Sequence, residues 1–322
     1  RSSLPRVLSR GSPRGRSAGP SIGVGASRGT TVPEPTRLRL HEDPAFFREA
    51  VNFTAAQTGF ASRLIEKDYF CSVILQHLGA AAPGLVFRGG TSLTKVYMGV
   101  YRLSEDLDFL ISTPVDATRA DRSRRAAESK RSVATIGGRQ SGLRVITPLT
   151  GANDSSQYSA VIGYPSLLGP GEDTVMIEVG LREPLLTPAV RGEARTLLLN
   201  PVDGKPRVPP LAVLCLSREE AMAEKLRAAL SRREPAIRDF YDVDHAIRRL
   251  GFRVQDPELV GLVREKLAVP GNEPVDVSAA RLAVLKPQLE SQLKPVLRDR
   301  DIVEFDLERA FAAVAGVAAA LG

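Results

Sequence analysis

The chain lacks the features that mark exported, membrane-spanning or disulfide-bonded proteins. Among its 322 residues, no apolar run approaches the roughly 20 residues that a membrane-spanning helix needs. The N-terminus has no apolar segment of the kind found in secretory signals. The two cysteines, Cys71 and Cys215, lie in apolar sequence. They predict buried thiols in a reducing cytoplasm rather than a disulfide or a metal site.

Histidine is also scarce. His41, His77 and His245 are the three histidines, and they are far apart in the sequence. This scatter indicates neither a histidine metal site nor a catalytic triad.

Positive charge is confined to one end of the chain. The formal net charge is +7, and residues 1–40 account for all of it, with eight arginines and one acid, Glu34. We expect this Arg-, Gly-, Ser- and Pro-rich segment to be a disordered tail. The remaining charges balance, so a nucleic acid must contact the folded part through a local patch. The basic segment at residues 116–131 is one candidate, although it equally resembles a solvated helix face.

Hydrophobic residues make up 43% of the sequence, and strand-like and helical periodicities both occur. Both patterns are typical of a globular α+β protein with a substantial core. Strand-like segments dominate residues 142–200, and a Pro/Gly-rich connector follows at Pro201–Pro210. The capping-box pattern Ser217–Glu220 then opens a helical region. We therefore expect one domain at residues 41–205 and a helical domain at residues 206–322.

A glycine turn followed by an acidic strand is the most informative motif. Gly89 and Gly90 follow a short apolar run and precede a helical pattern. Paired glycines let the backbone approach a phosphate closely, because no Cβ blocks it. Asp106 and Asp108 then alternate with apolar residues, and a period of two places both on one strand face, roughly 6.5–7 Å apart. Two carboxylates at that distance can share a divalent metal.

Thirteen residues separate Ser92 from Asp106, which allows one helix and one returning strand. This spacing brings the carboxylates under the glycine turn, an arrangement typical of phosphoryl or nucleotidyl transfer. The alternative is a structural turn beside a solvent-facing acidic edge strand.

A third carboxylate is expected on a neighbouring strand, and Glu178 is the candidate. It lies between apolar residues in a strand-like segment. Burial of such an acid costs several kcal/mol unless it is paired or bound to metal. The alternative is an exposed strand face.

Two sites in the helical half add charge. Lys225 lies inside the capped helix, and its ammonium group could meet a nucleotide phosphate. Asp239 and Asp242 are three residues apart and share a helix face, so either could orient a nucleotide or accept a proton. Each also fits an ordinary helix-surface charge.

Together these motifs resemble the AbiEii/AbiGii nucleotidyltransferase-like toxin family, which includes the mycobacterial MenT toxins. The resemblance spans about residues 45–250. The matching segments are Gly89–Leu93, Arg102–Phe109, Glu224–Leu226 and Arg238–Asp242, with Glu66–Tyr69 as an upstream helix motif.

The resemblance implies a DNA polymerase β-type nucleotidyltransferase domain with a mixed β-sheet, followed by a C-terminal helical domain, with the active site between them. It implies Mg²⁺ as cofactor, held by Asp106 and Asp108 and, less directly, by Glu178. It implies a triphosphate bound by Gly89, Gly90, Thr91, Ser92 and Lys225. Asp242, together with Asp239, would be the essential acid of the last motif.

The implied activity is that of a toxin in a toxin–antitoxin or abortive-infection system. It would transfer NMP from NTP to RNA, namely the 3′ end of tRNA, and so block translation. A cognate antitoxin protein is the expected partner. Ser104 is a candidate regulatory modification point, or simply a hydroxyl at the strand start. The alternatives are nucleotidylation of a small molecule or protein, and a catalytically dead nucleotide-binding module.

Overall fold

Seven strands form one mixed sheet in the computed structural model, which describes residues 38–322. They are β1 Val86–Arg88, β2 Asp106–Leu110, β3 Arg144–Ala152, β4 Gln157–Pro165, β5 Glu172–Gly180, β6 Val190–Ala194 and β7 Leu211–Cys215. Their spatial order is β3-β4-β5-β2-β1-β7-β6. The tail expected at residues 1–40 lies, up to residue 37, outside the described residues.

Helices make up most of the rest of the described chain. In the N-terminal half they are α1 Pro44–Thr58, α2 Ser62–Ala81, α3 Gly89–Ser92, α4 Arg119–Arg125, α5 Ala127–Ala134 and α6 Ile136–Arg139. In the C-terminal half they are α7 Arg218–Ser231, α8 Ile237–Leu250, α9 Pro257–Ala268, α10 Ala279–Leu285, α11 Asp299–Glu304 and α12 Leu307–Ala320. Across residues 38–322 none of the helices is long and apolar enough to cross a membrane.

The two faces of the sheet bury different cores. Leu107 and Phe109 of β2 pack with α1, α2 and α5 in a first hydrophobic core. Leu110 points the other way and packs with α7, α8 and α12 in a second core. Because side chains alternate along a strand, Asp106 and Asp108 lie on the face of the second core. The acidic residues therefore lie where that face meets the C-terminal helices.

β2 is a central strand. It pairs in parallel with β5 on one side and antiparallel with β1 on the other. The alternative of an acidic edge strand is therefore wrong. In the region at residues 142–200, where strand-like segments are expected, β3, β4 and β5 pair as antiparallel neighbours.

Other local expectations need correction. The helix expected from Ser92 begins at Gly89 and continues as a π-helical turn over Leu93–Tyr97, so the glycines form its first turn. The basic helical segment is broken at Ala126 between α4 and α5.

The sequence beyond the Pro/Gly-rich connector is not wholly helical. Leu211–Cys215 forms β7, which pairs in parallel with β1 although it follows the expected boundary at residue 205. A short apolar run before a helix has no periodicity that distinguishes a strand from a buried helix segment.

Candidate active site

Three charged side chains lie side by side across the centre of the sheet. In the strand register, Asp108 of β2 is opposite Arg88 of β1 and opposite Glu178 of β5. Residues opposite each other across neighbouring strands share a sheet face. Asp106 lies on the same face, two residues before Asp108. The sheet therefore places the two predicted aspartates and the predicted third carboxylate in one group beside an arginine.

The carboxylates of Asp106, Asp108 and Glu178 make no direct ion pair or hydrogen bond among the described residues, although Arg88, Lys225, Lys67 and Arg238 attract the two aspartates from a distance. No donor among residues 38–322 lies at hydrogen-bonding distance from the side-chain oxygens of Asp106, Asp108 or Glu178. Burial, opposed in part by the Arg88 guanidinium and reinforced by the Glu178 charge, raises the pKa of Asp108 to about 6. Burial also raises the pKa of Asp106, against the attraction of Lys67. Such a group is prepared to receive a cation.

The Gly89–Gly90 turn, which follows β1, lies directly against Asp108 of β2. Gly89 has φ +73°, and a Cβ at this position would overlap the Asp108 carboxylate. A Cβ on Gly90 would lie 2.5 Å from Nη2 of Arg102. A side chain at either position would therefore displace Asp108 or Arg102. Both glycines line the cleft, Gly89 half-buried and Gly90 buried, and the approach of a phosphate to them stays a prediction.

The two hydroxyl residues after the glycines point elsewhere. Thr91 Oγ1 donates to the carbonyl oxygen of Asp106, and Ser92 Oγ donates to that of Phe87 at 3.4 Å. Both side chains are buried. Their hydroxyl groups thus hold the turn on the sheet and do not face the cleft.

The predicted residues of the helical half meet in one ion network. Lys225 Nζ lies 2.7 Å from Asp239 Oδ1 and 2.9 Å from Asp242 Oδ2. Asp242 also accepts bonds from Arg102 Nε at 2.6 Å and from the Tyr101 hydroxyl at 2.5 Å. Both aspartates are buried, so the alternative of a helix-surface charge is wrong for them.

Asp242 and Asp239 occupy different depths. Although burial alone disfavours its charge, Arg102 and Lys225 hold the pKa of Asp242 well below its usual range. Asp242 is fully buried beneath the cleft, whereas Asp239 and Lys225 line it. Asp242 therefore contacts Lys225 and Arg102 beneath the cleft and does not line it. Asp239 is the acid that meets the cleft.

The cleft between the sheet and helices α7 and α8 has two lobes. The residues that line both lobes are Gly90, Asp108, Glu178, Lys225, Arg232 and Asp239. One lobe, of about 440 Å³, extends toward a further set of residues: Gly89, Arg182, Arg227, Arg233 and Asn272. The other, of about 400 Å³, extends toward Ser104, Asp106, Arg238, Gln288 and Gln292. We call these the arginine lobe and the aspartate lobe. Two lobes that meet at one carboxylate group suit an enzyme with two substrates.

A buried charge cluster that no sequence motif predicts lies behind the site. Arg88 Nη1 lies 3.1 Å from Glu224 Oε1 and 3.5 Å from Glu183 Oε1. Lys266, which is fully buried, lies 2.7 Å from Glu220 Oε1 and 3.4 Å from Glu224 Oε1. The cluster fixes Arg88 beside Asp108. Arg88 could have been suspected from its place at the end of β1, but Lys266 joins only through the packing of α9 on α7.

Ser104 and the upstream helix motif lie close to the aspartates. Ser104 is partly buried and lines the aspartate lobe, so its hydroxyl is accessible from the cleft. In the upstream motif, Lys67 Nζ bonds Glu105 Oε2 at 2.8 Å, next to Asp106. Asp68 Oδ1 accepts from the buried Lys95 at 2.5 Å. The upstream motif in α2 therefore contacts the residue that precedes β2 through the Lys67–Glu105 ion pair.

The predicted basic patch is remote from the carboxylates. Val133 of α5 packs in the first core, on the opposite face of the sheet. Arg122 and Arg125 donate to nearby backbone carbonyls, and Arg124 pairs with Asp121. The basic side chains that do reach the cleft come instead from the sheet and its flanking segments, with Arg88, Arg102 and Arg182, and from α7, α8 and the segment between them.

Histidine and cysteine stay outside the site. Cys71 and Cys215 are buried and free, as predicted. His245 stacks on Tyr101 at 3.9 Å between ring centroids, and burial lowers its pKa to about 4. This imidazole is therefore neutral at neutral pH.

The donor set fits a divalent cation that also binds phosphate. Within residues 38–322, no three His, Cys, Asp or Glu side chains converge closely enough to enclose a metal by themselves. Mg²⁺ ordinarily takes one or two carboxylates and completes its octahedron with water and substrate phosphates. The unbonded Asp106 and Asp108 supply such a partial set of hard oxygen ligands, and Glu178 lies next to them.

Comparison with known proteins identifies the class to which this fold and site belong. The MenT4 nucleotidyltransferase toxin from Mycobacterium tuberculosis H37Rv superimposes with a TM-score of 0.51 at 20% identity, covering 86% of this chain and 98% of that one. A nucleotidyltransferase-type structure from Helicobacter pylori and JHP933 from the same organism each match at 16% identity with a TM-score of 0.47. These two matches cover 81% of this chain and, respectively, 96% and 93% of the other. The first match confirms the α+β nucleotidyltransferase fold.

The family follows from the sequence itself. The family model "Nucleotidyl transferase AbiEii toxin, Type IV TA system" matches residues 73–315, which is most of the chain. The chain therefore belongs to the AbiEii family of nucleotidyltransferase toxins of type IV toxin–antitoxin systems, and the predicted resemblance is confirmed. Membership implies an NTP substrate and an antitoxin partner. No curated protein sequence matches the chain significantly.

Proposed function

We propose that this toxin is a Mg²⁺-dependent nucleotidyltransferase that transfers NMP from NTP to an RNA acceptor, the 3′ end of tRNA, and thereby blocks translation in the cytoplasm. The observation that carries the proposal is the register of β1, β2 and β5. It sets Asp108 beside Glu178 on one face, with the Gly89–Gly90 turn packed against them.

Several residues of the cleft are placed to contact the triphosphate. Gly89 and Gly90 line the cleft and would bring their backbone against the triphosphate, and Lys225 would offer it a positive charge. Asp242 and Asp239 hold the Lys225 ammonium in place, and they keep it protonated by raising its pKa against the effect of burial. Arg238 lines the aspartate lobe and attracts Asp106, with no acceptor among the described residues at hydrogen-bonding distance. It is free to contact a phosphate oxygen.

Asp106 and Asp108 are the residues that would hold the metal, with Glu178 beside them. When bound, Mg²⁺ would neutralise charge on the phosphates and lower the pKa of the attacking hydroxyl. The protein itself supplies positioning, which accounts for much of the barrier reduction in such reactions. The 3′ hydroxyl loses its proton to solvent and its oxygen bonds the α-phosphorus. The bond between the α-phosphorus and the oxygen that bridges to the β-phosphorus breaks, and pyrophosphate leaves with that oxygen.

The acceptor is identified by offering the protein each class of acceptor in parallel reactions. The protein is incubated with each of the four NTPs, labelled at the α-phosphate, together with tRNA, other RNA, protein extract or small metabolites. We expect label in tRNA. Label only in protein or metabolites would contradict the RNA assignment and favour the alternative acceptors. Binding of NTP without any transfer would indicate a catalytically dead module.

Matched variants show whether the cleft performs the reaction. Asp106→Asn removes one charge at the metal face and should abolish transfer and toxicity. Asp154→Asn makes the same change at an exposed turn between β3 and β4, where φ is +53° and asparagine fits well. It should retain full activity. Full activity in folded Asp106→Asn protein would overturn the assignment.

A further inference from the structure

The second core does not extend over the whole of its sheet face. Val86 of β1 and Leu110 of β2 pack in this core, but among the described residues none of β3, β4 or β5 does. Three apolar side chains of those strands lie on the open part of the face. Met176 of β5 is 41% exposed, Ile146 of β3 is 39% exposed, and Val161 of β4 is half-buried. We call these three residues the apolar strip.

The apolar strip begins beside Asp106. In the sheet register, Met176 is opposite Asp106 on one side and opposite Val161 on the other. Gly163 follows Val161 by two residues and shares its face, and a Cβ on Gly163 would lie 2.8 Å from Ile146 Cδ1. Neighbouring strands are about 4.8 Å apart, so the strip extends about 14 Å from Asp106 to β3.

The charges beside the strip disfavour a phosphate there. Glu178, two residues from Met176 on β5, forms no ion pair within the described part of the chain. Arg144 and Glu172, near the outer end, pair with each other. A neutral, flat group avoids repulsion by Glu178 and gains from contact with apolar side chains. Because unpaired RNA bases lie on open sheet surfaces in other proteins, the strip suits such a base.

The two lobes place the acceptor on the same side as the strip. Gly89, Arg182 and Arg227 line the arginine lobe and not the other, so we assign the triphosphate to this lobe. In an in-line displacement, the attacking and leaving oxygens lie on opposite sides of the α-phosphorus. The acceptor therefore approaches through the aspartate lobe, which Asp106 and Arg238 line.

From this juxtaposition we propose that the apolar strip binds the last unpaired bases of the acceptor RNA strand. The assignment rests on the proposed function and names the part of the RNA that the protein recognises. The terminal bases lie on Met176 and Val161, while the phosphates of the strand face Arg238 and solvent. Bases that are paired in a duplex cannot lie flat on the sheet, so the protein should require an unpaired 3′ end.

The test removes the contact from the protein and from the RNA separately. Three fluorescent RNA hairpins are compared: one with a short 3′ overhang, one with the same overhang made abasic, and one with a blunt end. Binding is followed by anisotropy between about 50 and 200 mM KCl. Val161→Thr and Met176→Gln should each weaken binding of the first hairpin about fivefold, since each removes apolar contact area.

The other measurements identify the contact as one with bases. The abasic and blunt hairpins should bind wild type more weakly than the first hairpin, and they should be insensitive to both substitutions. The slope of log affinity against log salt should stay unchanged in the variants, because no phosphate contact is lost. NTP affinity, measured by equilibrium dialysis, should stay within about twofold, because neither residue lines a lobe of the cleft.

Val190→Thr is the matched control. Val190 is 38% exposed and belongs to β6, at the opposite edge of the same sheet, so the same substitution there should leave the affinity for all three hairpins unchanged. Circular dichroism confirms that each variant is folded.

The outcomes distinguish this proposal from the proposed function. An unchanged affinity for the overhang in folded Val161→Thr and Met176→Gln protein would overturn it, as would an equal loss with the abasic overhang. Dimerisation of the wild type that Met176→Gln abolishes would show that a second copy covers the strip, and would also overturn it. A wild type that modifies only proteins or metabolites, without binding RNA, would overturn it but leave nucleotidyl transfer standing. A base-dependent loss in the variants would support the strip even if the transferred group proved to be something other than a nucleotide.

Discussion

Replacement of Asp108 by asparagine should make the metal-free protein more stable while abolishing its activity. Asp108 lies beside Glu178 and has no hydrogen-bond donor among the described residues. Burial raises its pKa from 3.8 to about 6. By linkage, the ionised side chain opposes folding at any pH above that value.

The magnitude follows from the same shift. A rise from 3.8 to about 6 corresponds to an upper limit of about 3 kcal/mol, since each tenfold change in proton affinity is about 1.4 kcal/mol. The attraction of Arg88 is already contained in that value. Because Asp108 is partly exposed, solvent screening reduces the effect, and we expect a gain of about 1–3 kcal/mol for Asp108→Asn at about pH 8.

The pH dependence has a definite sign. Below the unfolded pKa of 3.8, both states are protonated and the wild type suffers no penalty. Between 3.8 and about 6 the folded state binds more protons than the unfolded state, so wild-type stability falls as pH rises. The advantage of Asp108→Asn should therefore grow through this window and then remain constant.

The assay is urea unfolding in EDTA-containing buffer, from about pH 4 to pH 8. Asp173→Asn is the control of opposite sign. Although burial alone disfavours its charge, the Thr174 backbone, Lys67 and Arg63 hold the pKa of Asp173 below its usual value. Its stabilising contribution should be lost as pH falls, so this variant should be less stable than wild type at high pH. An Asp108→Asn protein that is less stable at pH 8, or whose difference from wild type does not vary with pH, would refute the reasoning.

Two further pairs of substitutions test the ion network around Lys225 and the Gly89–Gly90 turn. Asp242→Asn leaves two buried cations short of their shared carboxylate, so urea unfolding should show a loss of about 3–5 kcal/mol. Asp239→Asn should cost clearly less stability, because Lys225 still pairs with Asp242. It should nevertheless impair transfer, since Asp239 lines the cleft. Equal losses of stability in the two variants would contradict the different positions assigned to Asp239 and Asp242. Gly89→Ala and Gly99→Ala share φ +73° and so share the backbone strain, but only the first adds a Cβ that overlaps Asp108. Transfer assays should show loss of activity in the first alone, and comparable activity in the two would argue against the close approach.

The parts of the site that sequence predicts are those with local periodicity. The alternation around Asp106 and Asp108 predicts a shared face because a strand has a period of two. The apolar neighbours of Glu178 predict a strand, and the sheet register places that strand next to β2. The glycine pair predicts close approach to a phosphate, which stays a prediction, and Gly89 is found packed against Asp108. Each of these inferences needs only a few consecutive residues.

The orientation of a side chain, and its contacts with residues far away in the sequence, cannot be predicted from a few consecutive residues. Thr91 and Ser92 follow the glycines, yet their hydroxyls satisfy sheet carbonyls because the helix already begins at Gly89. Asp242 stands three residues from Asp239 but lies a layer deeper, under Arg102. Helical spacing predicts a shared face but gives no depth. The partners that determine depth are more than a hundred residues away along the chain.

The central claim is nucleotidyl transfer, and the position of the transferred phosphate tests it most directly. Wild-type and Asp106→Asn proteins, both verified as folded, are incubated with tRNA, Mg²⁺ and NTP labelled either at the α- or at the γ-phosphate. We expect tRNA to gain label only from the α-position, with release of pyrophosphate, and only with the wild type. Label from the γ-position, or equal transfer by Asp106→Asn, would contradict it.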